Sequence, residues 1–543
     1  MHCRPGVVPS FARSATARRP GLLPVVALAL LAAGSATTVR AATPEGPIVR
    51  VQAGRLLGEQ SGSLAVFRGI PYAAPPVGRL RWQAPAAVHA WQQLRSARAF
   101  APRCTQRPLF DDMVFRSSGT SEDCLYLNVW TTAPGQRPGM PVLVYIHGGG
   151  FVAGEGAEPR YDGAALARDG IVTVTVNHRL GAFGFLAHPL LRDAQGASGN
   201  YGLMDLVAAL RWVRANIAAF GGDPRRVTIA GESAGSVAVS ALMAAPSARG
   251  LFAGAIGESG SVLGTLSALP RTQCEQSGAK VVAAAGAGSA RALRALPAEA
   301  VLSASDAAKV GEYSPCIDGR FFREDPQATF RSGRAARVPL LAGYNSQEGD
   351  YDSLFREGQA PGVAAYKEVM NRVFGPMAAD ALAVYPGDTL AQALQSARQL
   401  MGDRFIAHST WLWATLQAGQ GAPTWFYHFE RARPARRVGE PQPPRLLPDG
   451  AVHSGEIEYA LGNLDGNAVF AWEPEDHQLS ATMRHYFAQF IRHGNPNGTG
   501  LPEWPAFASG QRLSLDVHTQ AEPDADAARQ AFLERWIAQG GVL

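Results

Sequence analysis

Three short runs, Met140 to Ile146, Ile171 to Val176 and Val227 to Ala230, are apolar almost without interruption, and the last two are rich in β-branched residues. A strand with one wet face alternates apolar and polar residues, so a run that does not alternate is buried on both faces. Such strands belong to a parallel sheet lying under helices. Between the second and third runs, Leu203, Leu206, Val207, Leu210, Val213 and Ile217 recur at spacings of three and four. That spacing predicts a helix over residues 203–219, and Gly221-Gly222-Asp223-Pro224 stops it. Strand, helix and strand in this order define an α/β chain. Upstream, Val49, Val51 and Leu64 to Phe67 read as short strands, ended by the prolines between Pro71 and Pro76. Residues 275–310 read as Ala-rich helices and Pro434 to Pro448 as an Arg/Pro loop. No internal repeat is visible.

Composition enters through charge. The chain has 543 residues, 46% of them hydrophobic and 17% charged, which is ordinary globular composition and excludes disorder, collagen and coiled coil. Its formal charge is +5, but residues 1–41 hold Arg4, Arg13, Arg18, Arg19 and Arg40 and no acid. The remainder therefore balances, and no basic surface argues for nucleic acid or an anionic membrane. The first segment reads as an export signal. Arginines precede an apolar run from Gly21 to Ala33, and Val39-Arg40-Ala41 offers small residues for a cut before Ala42. The run is shorter than the roughly 20 residues a bilayer span needs. The expectation is a signal over 1–41, one domain over 42–543, no later transmembrane segment, and a secreted or periplasmic protein. Cys104, Cys124, Cys274 and Cys316 then remain, an even number in an oxidising compartment. Three pairings are open, as are four buried thiols; spacing favours 104–124 and then 274–316. No C-x-x-C pair suggests a zinc ribbon.

Two glycine-rich turns follow two of the buried strands. Gly231-Glu232-Ser233-Ala234-Gly235 comes directly after the run at Val227–Ala230, and a helical pattern follows from Val237 to Ala244. This is the setting of a nucleophile elbow, in which small flanking residues allow a sharp turn that exposes Ser233 Oγ. His147-Gly-Gly-Gly150-Phe151 follows the run ending at Ile146. Acyl transfer builds negative charge on the former carbonyl oxygen, and fixed backbone N–H groups stabilise it. The candidate donors are Gly149, Gly150 and Ala234. A phosphate loop would need Gly-Lys-Ser/Thr, which is absent. The chain has twelve histidines, and spacing alone does not select a base among them.

The chain resembles the type-B carboxylesterase/lipase family, the cholinesterase-like branch of the α/β-hydrolases, from about Val49 to about Phe507. The matching stretches include Phe67-Arg-Gly-Ile-Pro-Tyr72, Ser121-Glu-Asp-Cys-Leu-Tyr-Leu-Asn128, His147 to Phe151, Gly199-Asn-Tyr-Gly-Leu203, Phe220-Gly-Gly-Asp-Pro224 and the Ser233 pentapeptide. The resemblance implies an α/β-hydrolase fold with a large, mostly parallel, mixed sheet. It implies an acid in Gly343-Tyr-Asn-Ser-Gln-Glu348-Gly349, hence Glu348, with Asp350 as the rival. The family's histidine precedes Gly-x-Glu, which points to His453, with Ser454 as an added residue. The chain order Ser233, Glu348, His453 is the one the fold imposes. Ser259 matches a serine often found near the family's triad, and a disulfide ending in Ser-Glu-Asp-Cys supports Cys104–Cys124. Cholinesterases carry a tryptophan in that loop for a quaternary ammonium; here Phe110 and Phe115 stand there and no tryptophan, so choline esters are not supported. The expected function is a serine carboxylesterase acting on small-molecule esters, with no organic cofactor and no metal. The alternatives are an esterase-like binding or adhesion domain, or an amidase, lactonase or specialised ester hydrolase of the same mechanism.

Overall fold

A computed structural model of the protein describes residues 45–542 except 137, 311–312, 357 and 438–448. The expected signal at 1–41 and most of the Arg/Pro loop lie outside the described residues. One compact unit begins at Gly46.

Eleven strands form the main sheet. In chain order they are β1 (Glu59–Ser61), β2 (Leu64–Pro71), β3 (Tyr126–Thr131), β4 (Met140–Ile146), β5 (Val172–Val176), β6 (Gly222–Glu232), β7 (Gly254–Glu258), β8 (Leu340–Asn345), β9 (Thr424–Phe429), β10 (Gln511–Leu515) and β11 (Gln520–Pro523). Their order across the sheet is β1-β2-β3-β5-β4-β6-β7-β8-β9-β10-β11. Strands β4 to β10 run parallel, and the pairs at both edges are antiparallel. The large, mostly parallel, mixed sheet expected from the sequence is therefore present.

The reason the strand sequences do not alternate is visible in the packing. Along β4, Val142, Val144 and Ile146 enter one hydrophobic core, while Leu143 and Tyr145 enter another on the opposite face. The first core packs against α1 (Tyr201–Asn216) and α2 (Ala234–Ala244), through residues such as Leu206, Leu210, Val237 and Leu242. The second packs against α3 (Pro474–His493), through Met483, Tyr486, Phe487 and Phe490. A charge on either face of β4 loses its hydration, so Val144→Asp breaks the sheet as surely as Leu143→Asp. Helix α1 gives way at Ile217–Phe220 to a tighter 3₁₀ turn, and Gly221, with φ +85°, ends it in the left-handed conformation that favours glycine. Pairing in β2 stops at Pro71, as the prolines require.

Candidate active site

Strand β6 ends at Glu232, the chain turns at Ser233, and α2 starts at Ala234. Ser233 has φ +54° and ψ −124°, a strained conformation for a residue with a Cβ. The turn is held by the Ser233 N–H, which donates to Glu258 O at 2.9 Å. It is as tight as the glycines imply. A Cβ on Gly235 would lie 2.1 Å from Ile146 O, and one on Gly231 would lie 2.6 Å from Gly235 C.

His453 sits on the loop leading to a short helix at Ile457–Leu461. Its Nδ1 lies 2.7 Å from Glu348 Oε2, 105 residues away in sequence. Glu348 comes from the loop after β8, and Gln347 fastens the two loops together. The Gln347 N–H donates to Ala451 O at 2.8 Å, and its Oε1 accepts from the Gly450 N–H at 2.7 Å. Glu348 Oε1 accepts from Ser259 Oγ at 2.5 Å and from the Asn345 N–H at 2.7 Å. The rival Asp350 instead precedes a 3₁₀ turn at Tyr351–Leu354. Ser233, His453, Gly149 and Gly150 all line one cavity of about 410 Å³. Gly149 has φ +104°, and a Cβ there would meet Ala153 O at 2.3 Å, so only glycine fits. Ala234 is buried at the first position of α2. Among the described residues no hydrogen bond joins Ser233 Oγ to His453; Nε2 instead lies 3.3 Å from Glu232 Oε1.

Most of the cavity wall is apolar, from Phe110, Met113, Val152, Leu266, Phe405 and Ile406. Phe405 rises from a π-helical turn, Asp403–Ala407, and meets the His453 ring edge to face at 5.0 Å. Phe110 and Met113 belong to the loop closed by the Cys104–Cys124 disulfide. Cys274 and Cys316 form a second disulfide.

The electrostatics are set by buried carboxyls. Burial disfavours the His453 cation, but the charges of Glu232 and Glu348 outweigh it and raise its pKa above the ordinary value of 6.5. Its side chain is still 26% exposed to the cavity. Burial raises Glu232 as well, against the opposing pull of His453, Ser454 and Arg160. Glu456 is pushed up to about 8 by burial and by Glu232 and Glu348. His147, the first residue of the glycine turn, is driven down to about 3 by burial and by His178, on which it stacks at 4.7 Å. It is a neutral packing residue.

Of the three triad candidates, Ser233 and His453 line the cavity and Glu348 lies behind His453, in contact with its Nδ1; sequence reasoning missed Glu232, Gln347, Asn345 and Glu456 around them. It also misread Ser454. His453 to Glu456 spans the same three steps as His-Gly-x-Glu, and Ser454 has φ +64°. Ser454 therefore stands in the glycine's place and is not an added residue.

A profile of the carboxylesterase family matches residues 45–536. The chain belongs to the carboxylesterase family. The fumonisin B1 esterase of Sphingopyxis macrogoltabida is 34% identical over 494 residues, 89% of this chain and 88% of that protein. The para-nitrobenzyl esterase of Bacillus subtilis (strain 168) is 33% identical, covering 89% of this chain and 98% of its relative. Among solved structures, a PNB esterase superposes with a TM-score of 0.77 at 33% identity, covering 90% of this chain and 99% of the other. The Geobacillus stearothermophilus carboxylesterase EST55 gives 0.75 at 34%, with the same coverage. The fold is that of the α/β-hydrolase esterases, and the chain is a carboxylic ester hydrolase. Among the described residues no helix is long and apolar enough to cross a membrane.

Proposed function

We propose that this carboxylesterase works through an acyl-enzyme on Ser233. His453 Nε2 takes the Ser233 Oγ proton as Oγ bonds to the ester carbonyl carbon. The N–H groups of Gly149, Gly150 and Ala234 receive the developing oxyanion. As the C–O bond to the alcohol breaks, Nε2 returns the proton to the leaving oxygen. Water then repeats the sequence on the acyl-enzyme, releasing the acid and restoring Ser233. Glu348 holds the tautomer with its proton on Nδ1 and stabilises the imidazolium. Ser259, donating to the other oxygen of Glu348, keeps that carboxylate oriented. The observation that carries this reading is the 2.7 Å contact between Glu348 and His453, which lines the same cavity as Ser233.

The apolar wall suits esters of small acyl groups or apolar alcohols, and the cavity volume lies in the range of small-molecule sites. We further read residues 1–41 as a cleaved export signal and 42–543 as one catalytic domain, secreted or periplasmic; the two disulfides support an oxidising compartment. An organophosphonate should label Ser233, and Ser233→Ala should lower kcat by on the order of 10⁴–10⁶ with the fold intact. Label on another serine, or an active alanine variant, overturns the assignment. A panel of esters varying acyl length and alcohol should show preference for the apolar members.

A further inference from the structure

Ser454 is a residue with a Cβ held at φ +64°, at a position where glycine is at ease. Backbone strain at the rim of a reaction cavity persists where the side chain does something. Here its Oγ donates to Glu232 Oε1 at 2.6 Å. The same Oε1 lies 3.3 Å from His453 Nε2, the atom that exchanges protons with Ser233. The other oxygen, Oε2, lies against Gly148, where a Cβ would come within 2.6 Å of it. Ser454 is thus the side-chain donor that holds Oε1, while Oε2 occupies the space a side chain at position 148 would need.

We propose that Ser454 is a positioning residue that keeps Glu232 ionised and its Oε1 aimed at His453 Nε2, so that Glu232 serves as a second counter-charge to the imidazolium beside Glu348. This rests on the triad reading above. A hydroxyl that donates to a buried carboxylate favours its charged form, which burial alone would disfavour. An ionised Glu232 stabilises the imidazolium present when the tetrahedral intermediate forms. The groups facing this pair come from several elements. Arg160, beyond β4, favours the Glu232 charge; Glu258, at the end of β7 beside β6, and Glu348, from the loop after β8, oppose it. Glu456, from the His453 loop, is pushed up to about 8 and adds to the field on the imidazole only as it ionises there, above the acid limb; Tyr145, Tyr161 and Tyr427 feel the Glu232 charge without carrying one at neutral pH.

The test is the acid limb of kcat/KM for a soluble ester, measured for the parent, Ser454→Ala, Ser454→Gly and Glu232→Gln, with Ser233→Ala as control. Ser454→Gly removes the hydroxyl and relieves the backbone, so it folds at least as well as the parent. Both Ser454 variants should move the limb to lower pH by about half a unit to one unit. Their plateau kcat should fall on the order of threefold to tenfold, because the imidazolium loses part of its counter-charge. In the Glu232→Gln background the Ser454 substitutions should change neither quantity by more than about twofold. An unmoved limb in both single variants, or an undiminished effect in the Glu232→Gln background, overturns the role of Ser454. An active Ser233→Ala control overturns the triad reading instead.

Discussion

Glu348 and Asp350 stand two positions apart, yet their surroundings differ completely. Glu348 accepts from Ser259, the Asn345 backbone and His453, while Asp350 opens a 3₁₀ turn. Glu348→Gln keeps the shape but removes the charge and the acceptor opposite Nδ1. We expect kcat to fall roughly 10²–10⁴-fold, by analogy with other triads, and Asp350→Asn to leave it within about threefold. Steady-state kinetics on the two variants decide it; the reverse ranking makes Asp350 the acid. The pH dependence belongs to His453. Only the neutral imidazole accepts the Ser233 proton, so activity is lost as pH falls through its folded-state pKa. Glu232 and Glu348 raise that pKa, so the acid limb of kcat/KM should have its midpoint above the unperturbed histidine value of ~6.5. Full activity on a soluble ester at pH 5, with the protein folded, would falsify His453 as the base.

At the scale of elements, the disulfide loop is the piece most clearly joined to both stability and substrate. It spans 20 residues and brings Phe110, Asp112 and Met113 to the cavity wall. Closing a loop of that length restrains the unfolded chain by roughly 3 kcal/mol. The double variant Cys104→Ser/Cys124→Ser should lose about that much in urea denaturation. Its KM should rise more than its kcat falls, because the loop shapes the wall and carries no triad member. An unchanged denaturation midpoint counts against it. The same contrast between local and distant order explains what could be read from the sequence. Strand β4 was legible because both faces are apolar, β5 because it is β-branched and buried throughout, and α1 because its apolar face repeats at three and four. The elbow was legible because strand, glycines and helix adjoin in the chain. The acid and base were not: Glu348 and His453 sit on loops with no periodicity, and only the family resemblance pointed to them. Glu232 stood in full view inside the pentapeptide, but its contact with Ser454 joins residues 222 apart. No local pattern encodes such a contact. The start of α2 at Ala234, three residues before the first apolar position that marked it, follows from the turn geometry at Ser233 and not from helix propensity.

Across the whole molecule, two groups of buried charges act on stability in opposite directions. Burial would raise the pKa of Asp526, but Arg529 and Arg512 outweigh it and hold the carboxyl low. Asp403 extends this network through Arg529, tying the C-terminal helix at Ala527–Ala538 to the turn before the helix at His408–Gly419. A depressed carboxyl contributes stability above its unfolded value of ~3.9 and loses it as pH falls through the folded value. The carboxyls behind the triad behave the other way. Glu456 accepts from Asn345, yet burial beside Glu232 and Glu348 pushes it up to about 8. Between the unfolded value of ~4.3 and that point, the folded protein holds a proton the unfolded chain has released. Stability from this group is therefore greatest in mild acid and declines as pH rises towards 8. Glu456→Gln removes the titration while keeping an acceptor for Asn345. Relative to the parent, this variant should gain stability as pH is raised from 5 to 9, by up to ~4 kcal/mol. Urea denaturation of both proteins across that range measures the gain directly. Parallel stability curves would show that Glu456 is already ionised in the folded state at pH 5, and that the carboxyl cluster carries its charge elsewhere.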